Sequence, residues 1–597
     1  MRQLIDSHRF ALLELILITL CGAVWMLKPE WGIWFILTAL LPLALRVSGG
    51  GFRFRFVDWL ALIFAVSAWA GYWAAYDPAT AWNKAWLVMT AILLYFSLKA
   101  QPTRNLFWIS IFIFGLGVGV SLYYFLTHDF IVLPRKLELV NNMGRWIMNV
   151  RPQTGWTPIH PNYVAGMIAV TVPFIFYPIW DFKKRNFPIP APALLAIVTG
   201  LSLAALALVM ATSRGVVLAT LSGMGGWLLW RLIDLSGISR RIKGEAVFPI
   251  LLFIYLCVVV AFLYVGPARS GSLFSGNYYY GDGTRAELFS RSVYLLLDYP
   301  ITGGGLGSFP GLYSQYLLGI PFYNVPNSHN LFLDVGIEQG VFGGLSFFFL
   351  YLAALWMTAG DLAGEREDRT FQWIVLFSLI VAVVHGMVDD YLYNGVGTAL
   401  SLFLVGLSMN GRETETRAGR IDLRTLGVVV MIWLVIAVVN LNQIRAIWHA
   451  NIGAVQLAKV ELDGFPDTGW AGYAIVPRLD AADASLRSSL QFDPVNRTAN
   501  QRLGMISISR RDFLSAVGFL ETAHAQAPKH RGIVKSLAYG YVWLGEVEKA
   551  QEFLSRIPEA VEELDVYVWW WEAQGRNDLS GNAVLALDAL ETAPSQP

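Results

Sequence analysis

Charge is scarce in this chain and cysteine nearly absent. Of 597 residues, 15% are Asp, Glu, Lys or Arg, and two are cysteine. A soluble domain carries about 25% charged residues, so a water-facing globule of this size is excluded. Cys21 and Cys257 stand far apart inside apolar runs and read as small core residues, not as a disulfide or metal pair. Neither CxxC nor HExxH occurs, so zinc chemistry has no support and no metal or other cofactor is expected. The run Gly303-Gly304-Gly305-Leu306-Gly307 lacks the lysine of a P-loop, which removes ATP binding. The formal net charge of +1 is uninformative by itself; its distribution matters more, and no nucleic-acid partner is expected.

What the chain has is apolar residues. They make up 55% of it and give a mean hydropathy of +0.50. They gather into runs that approach the roughly 20 residues needed to cross a bilayer. The expected architecture is all-α: a polytopic transmembrane helical bundle over residues 1–442, then a soluble helical domain over 443–597. The runs predict about twelve or thirteen spans, near 9–27, 30–46, 57–76, 83–99, 105–126, 161–179, 189–210, 215–231, 245–266, 329–357, 371–389, 393–409 and 423–441. The first run imitates a signal peptide, but no small-residue cleavage site follows it, so it reads as a retained helix.

Basic residues set the direction of these spans. With the N-terminus cytoplasmic, the inside segments carry Arg2 and Arg9, Arg53 and Arg55, Lys99 and Arg104, and Lys183-Lys184-Arg185. They also carry Arg231 through Lys243, Arg366 and Arg369, and Arg412, Arg417, Arg420 and Arg424. The short outside connections have almost no Lys or Arg; Arg214 is the notable exception. This orientation places loops 127–160 and 267–328, and everything after Leu441, outside the cytoplasm. In a Gram-negative cell that is the periplasmic face of the inner membrane, and membrane lipids surround the bundle.

The C-terminal portion repeats itself. Leu503-Gly504 and Leu537-Ala538 are 34 residues apart, as are Asp493-Pro494 and Ala527-Pro528. The spacing fits tetratricopeptide units at about 500–528 and 534–558, with weaker ones around 445–463, 478–494 and 561–591. The alternative is a generic helical bundle. Either form suits an accessory role: holding a protein partner, a glycan acceptor or a second copy of the chain.

The orientation gathers reactive residues on the outer face. Arg214 interrupts an apolar stretch at a tight turn, where it either snorkels to the interface or meets an anionic ligand through its planar fork. Arg285 follows Asp282-Gly283-Thr284 and is either a solvated loop residue or a second anion contact. The nearby glycine run would let backbone approach a ligand. His329, in Asn327-Ser328-His329-Asn330, is placed at the start of span ten. A helix N-terminus favours a neutral imidazole able to act as a base; packing or capping is the alternative. Asp334 and Glu338 follow on the same helix, roughly 7 and 13 Å along its axis. Asp334 is suited to balancing an arginine, Glu338 to neutralising a partner deeper in the fold. His160, with Asn162 and Tyr163, either hydrogen-bonds a sugar or phosphate or caps span six. His385 with Asp389 and Asp390 forms a further cluster.

These motifs together resemble the O-antigen ligase and O-antigen polymerase superfamily of bacterial membrane glycosyltransferases. The likeness rests on Ser213-Arg214-Gly215, Gly283-Thr284-Arg285, the Pro300–Phe309 glycine run, Asn327 through Leu333, Glu338-Gly340-Gly343 and His160-Pro161-Asn162. It covers about residues 10–410, and the tetratricopeptide-like tail resembles extensions of some members. The resemblance implies a GT-C-like bundle whose donor is a glycan on undecaprenyl diphosphate. It implies that Arg214 and Arg285 hold the diphosphate, that His329 activates or positions the acceptor hydroxyl, and that no metal or nucleotide is required. It implies substrate-binding roles for His160, Asn162, Tyr163, Asn330, Asp334, Glu338, His385 and Asp389. Thirteen spans with an outside tail depart from the ligases' twelve-span, inside-tail pattern; either one extra span exports the tail, or one helix is counted twice. The ligase reading has lipid A core as acceptor. The alternatives are a polymerase extending lipid-linked repeats, a protein-directed transferase and, in a different class, a transporter.

Overall fold

The computed structural model describes residues 2–27, 32–48, 54–236, 246–267, 269, 284–318, 325–363, 369–410, 431, 438–467 and 473–592. All regular structure among these residues is helical. Among the described residues nine helices are long and apolar enough to cross a bilayer: Phe56–Ala74, Pro78–Lys99, Thr103–Thr127, Pro161–Lys184, Ala191–Ala211, Arg214–Leu235, Val247–Val265, Leu331–Ala363 and Arg369–Gly386.

Short connections make neighbours antiparallel, and buried polar contacts fix which ends meet. At one end of the bundle, Lys99 pairs with Asp58 at 2.5 Å and Tyr95 bonds the same carboxylate at 2.6 Å. The other end carries the longer connections and is called the loop end below. Asn410 lies at the Lys99 end, where its amide donates to the carbonyls of Leu98 and Gln101. Helix Leu441–Glu461 lies at the loop end, where Lys459 Nζ donates to the carbonyl of Trp73 at 2.5 Å.

Helices His8–Leu27 and Gly32–Ser48 occupy the expected spans 9–27 and 30–46, joined by a buried Arg46–Glu14 pair at 2.7 Å. The expected span 393–409 is a broken one: a 3-10 turn, Gly395–Leu400, and a six-residue helix, Phe403–Ser408, together carry the chain from the loop end, where Asn394 bonds Tyr163, to Asn410 at the Lys99 end. Every residue from 401 to 410 is buried. The stretch is apolar because protein surrounds it, and hydropathy cannot tell that from lipid. Most of the expected span 423–441 lies outside the described residues, as do 270–283 and 319–324 of the long loop.

Helix Leu331–Ala363 is kinked at Gly340, whose φ is 72°. There Val341 N–H donates to the carbonyl of Pro300 at 2.8 Å, and a Cβ on Gly340 would stand 2.6 Å from the oxygen of Ile301. The glycine run therefore serves packing. A Cβ on Gly303 would overlap the backbone of Glu338 at 2.3 Å, and one on Gly305 would overlap that of Ala75 at 2.3 Å. The backbone it approaches is the protein's own, which corrects the expectation of a ligand contact.

Past Leu441 the chain forms antiparallel helix pairs: Arg497–Ser509 with Phe513–Gln526, Arg531–Leu544 with Val547–Leu554, and Ala560–Ala573 with Asn577–Thr592. Phe513, Leu520, Leu537, Trp543, Leu554, Leu564 and Trp571 share one core across them. Single pairs cannot bury their own apolar faces, so stacking is the stable solution.

Candidate functional site

Connections widely separated in sequence close over a cavity of about 690 Å³ at the loop end. Its polar wall carries four cations, Arg135, Lys136, Arg214 and Arg285. Among the described lining residues one carboxylate, Asp389, faces them. Val217, Leu218, Leu221 and Leu263 form an apolar wall.

Local backbone chemistry places each cation. Helix Ala191–Ala211 ends because Thr212 turns left-handed, with φ 47° and ψ 36°. The next helix begins at Arg214, so this side chain sits beside unsatisfied first-turn N–H groups, themselves attractive to anions. Arg135 ties loop 127–160 to this turn: its Nε donates to Thr212 Oγ1 at 3.2 Å, and its Nη2 donates to the carbonyl of Ala211. Arg285 opens helix Arg285–Asp298, capped by Thr284, whose hydroxyl accepts from Glu287 N–H at 3.2 Å. The Arg285 Nε is buried with no hydrogen-bond partner among the described residues. Burial lowers the Arg285 pKa from its ordinary value, and Asp389 acts in the opposite direction. Lys136 is lowered by burial first and then by the charges of Arg214, Arg135 and Arg285. The cations repel one another, and an anion between them relieves that cost.

Two histidines line the cavity. His160 caps helix Pro161–Thr171, its Nδ1 accepting from Asn162 N–H at 3.3 Å, so it is both a cap and a lining residue. Burial holds its imidazole below the usual range. His385 is 1% exposed, and its Nδ1 has no hydrogen-bond partner. Glycines make room for it: a Cβ on Gly166 would stand 2.8 Å from its Nδ1, and one on Gly215 3.0 Å from its Cδ2.

The other expected residues stand behind this lining. His329 is not the first residue of a helix. It takes φ 54°, donates its N–H to Asn327 Oδ1 at 3.0 Å, and sets Nδ1 3.7 Å from Asp389 Oδ1. Asn330 is the cap, its Oδ1 accepting from the N–H groups of Phe332 and Leu333 at 3.1 Å each. Tyr163 accepts from Asn327 Nδ2 at 2.7 Å and from Asn394 Nδ2 at 3.2 Å, bracing the loop before His329. Asp334 accepts from Ser328 N–H at 2.9 Å. Glu338 pairs with Lys84 at 2.7 Å, deeper in the bundle. Asn162, Arg214, Arg285, His160, His385 and Asp389 thus line the cavity, and His329 joins them through Asp389.

Arg135 and Lys136 were not singled out from sequence. Their signal is an adjacent pair of cations in a segment placed outside. Among the described residues no group of three or more His, Cys, Asp or Glu is placed to hold a metal ion.

Fold and site together define a polytopic helical protein with a cationic cavity at one end of its bundle. The O-antigen ligase family model matches residues 199–348. That stretch contains Arg214, Arg285 and His329; the 127–160 loop, His385, Asp389 and the C-terminal helices lie outside it. No curated protein and no solved structure matches the chain.

Proposed function

We propose that this chain is a membrane glycosyltransferase that moves a glycan from a polyprenyl-diphosphate carrier to an acceptor hydroxyl. The carrying observation is the cavity: four cations against one carboxylate, with an apolar wall alongside. That combination suits a ligand with a strongly anionic head and a long apolar tail. Arg214 and Arg285 hold the diphosphate, with Lys136 adding charge and Arg135 fixing the turn that presents Arg214.

The reaction needs no resident cofactor. The acceptor oxygen attacks the anomeric carbon, and the bond from that carbon to the diphosphate oxygen breaks. The electron pair leaves on the diphosphate, where the arginines stabilise it. The acceptor proton passes to the His329–Asp389 pair.

The positive-inside pattern puts the loop end on the extracytoplasmic face of a bacterial inner membrane, beyond the reach of nucleotide sugars. A preloaded lipid donor meets that constraint. Helix Leu441–Glu461 lies at the loop end, which favours a C-terminal region on the same face as the cavity. Ligase-type transfer is the preferred reading, since the matching family model is described as O-antigen ligase, and lipid A core is the acceptor that reading implies.

The test is transfer by purified protein from a defined undecaprenyl-diphosphate oligosaccharide. Lipid A core, a second lipid-linked repeat and an acceptor protein are offered separately. A single-step product on lipid A core, lost in His329→Ala and Arg214→Ala, is the expected result. A ladder on the carrier makes the protein a polymerase, and a glycosylated protein makes it a protein-directed transferase. Full activity in both variants removes the assigned site.

A further inference from the structure

The helix that begins with Arg285 ends with Asp298, and the two ends have different neighbours. Asp298 is 1% exposed. Four side chains from the C-terminal region converge on its carboxylate. Arg497 Nη2 stands at 2.8 Å and Arg502 Nη2 at 3.4 Å, Thr498 Oγ1 donates at 2.9 Å, and His530 Nε2 lies at 4.0 Å. An aspartate at a helix C-terminus opposes the helix dipole, so these partners offset a placement that is otherwise unfavourable. Nearby, Tyr294 packs its ring on His530 at 4.9 Å. Asn451, fully buried, accepts from the N–H groups of Ile301 and Thr302 and donates to Thr302 Oγ1 at 2.6 Å. The C-terminal region thus grips the end of the helix and the start of the glycine run together.

We propose that Asp298 is a positioning residue, through which the C-terminal helices set the placement of Arg285 in the cavity. The inference rests on the transferase reading for its kinetic consequence but not for its geometry. The helix has 14 residues, a lever of roughly 20 Å. Releasing one end to tilt by about 5° moves the other by about 2 Å, and a misplacement of about 1 Å is enough to cost about a hundredfold in rate. The C-terminal region is then a working part of the site and not an appendage. A ligand or protein that shifts it acts on donor binding from a distance.

The test pairs a distance with a rate. Spin labels are placed at Ser290→Cys, exposed on this helix, and at Leu122→Cys, exposed on a span, in a full-length chain carrying Cys21→Ala and Cys257→Ala. Pulsed dipolar spectroscopy should give one narrow distance in the parent and a broadened or shifted one in Asp298→Asn. The same variant should raise the donor KM about tenfold or more, with a smaller change in acceptor KM. Thr498→Val removes one hydrogen bond and leaves both ion pairs; it should give the same effect in weaker form if Asp298→Asn fails to fold. A shifted distance in the variant, with a parent chain that transfers no glycan, supports the positioning role and removes the transferase reading. An unchanged distance with donor KM within about twofold, in either folded variant, overturns the proposal.

Discussion

The loop-end cavity and the C-terminal helices both gather charge, and they treat it in opposite ways. In the C-terminal region Lys535 is fully buried, yet it meets Glu559 at 3.0 Å and Glu563 at 2.7 Å, with Tyr539 donating to Glu563 at 2.6 Å. Asp298 meets two arginines. In the cavity, four cations face one carboxylate, and the Arg285 Nε and His385 Nδ1 are buried without hydrogen-bond partners. Buried charge that is matched within the chain holds structure. Charge that is left unmatched in an open cavity is suited to something that arrives.

Substitutions should separate the two regions. Arg285→Ala and Arg214→Ala should each lower transfer by about 10²–10³-fold with little change in thermal stability, since these side chains satisfy few partners in the chain. Lys535→Met should do the reverse. It leaves Glu563 buried without its lysine, while Glu559 keeps Arg531, and should destabilise the C-terminal region by about 3–5 kcal/mol, seen as an earlier unfolding transition, with transfer kept below that temperature. An equal loss of activity and stability in both sets would erase the distinction.

Smaller effects sharpen it. Arg285→Lys keeps the charge but loses the planar fork, and should cost about tenfold in kcat/KM. Lys136→Ala should raise donor KM by less than Arg214→Ala and reduce its dependence on salt. Asp298 supplies a pH signature. Burial alone would raise its pKa, but Arg497, His530 and Arg502 outweigh that and hold it below the ordinary carboxylate value. A depressed folded pKa stabilises fully above the unfolded value of about 3.9 and is lost as pH falls through the folded value. Thermal stability of the parent should therefore fall more steeply below about pH 4 than that of Asp298→Asn.

The bundle was legible because apolar runs long enough to cross a bilayer have few other uses. Arg214 was legible because it breaks the charge pattern at a turn too short to hide it. Arg135 and Lys136 escaped because the pattern is read from short connections and they lie in a longer one. The segment 393–409 was legible as a crossing but not as a broken one enclosed by protein, because an apolar run looks the same facing lipid or protein. The glycine run misled because backbone freedom does not say which surface the backbone approaches. The Asp298 clamp left no local trace, since its partners Arg497, Thr498, Arg502 and His530 lie about 200 residues away and each reads as an ordinary helix residue.

The most direct measurement is binding of undecaprenyl diphosphate to the full-length protein in nanodiscs, with the parent compared with Arg285→Ala, Arg214→Ala and Lys535→Met. Saturable binding in the parent and in Lys535→Met, weakened at least tenfold in both arginine variants, is the predicted result. Equal binding in all four proteins would contradict the assignment of the unmatched cations to the lipid diphosphate.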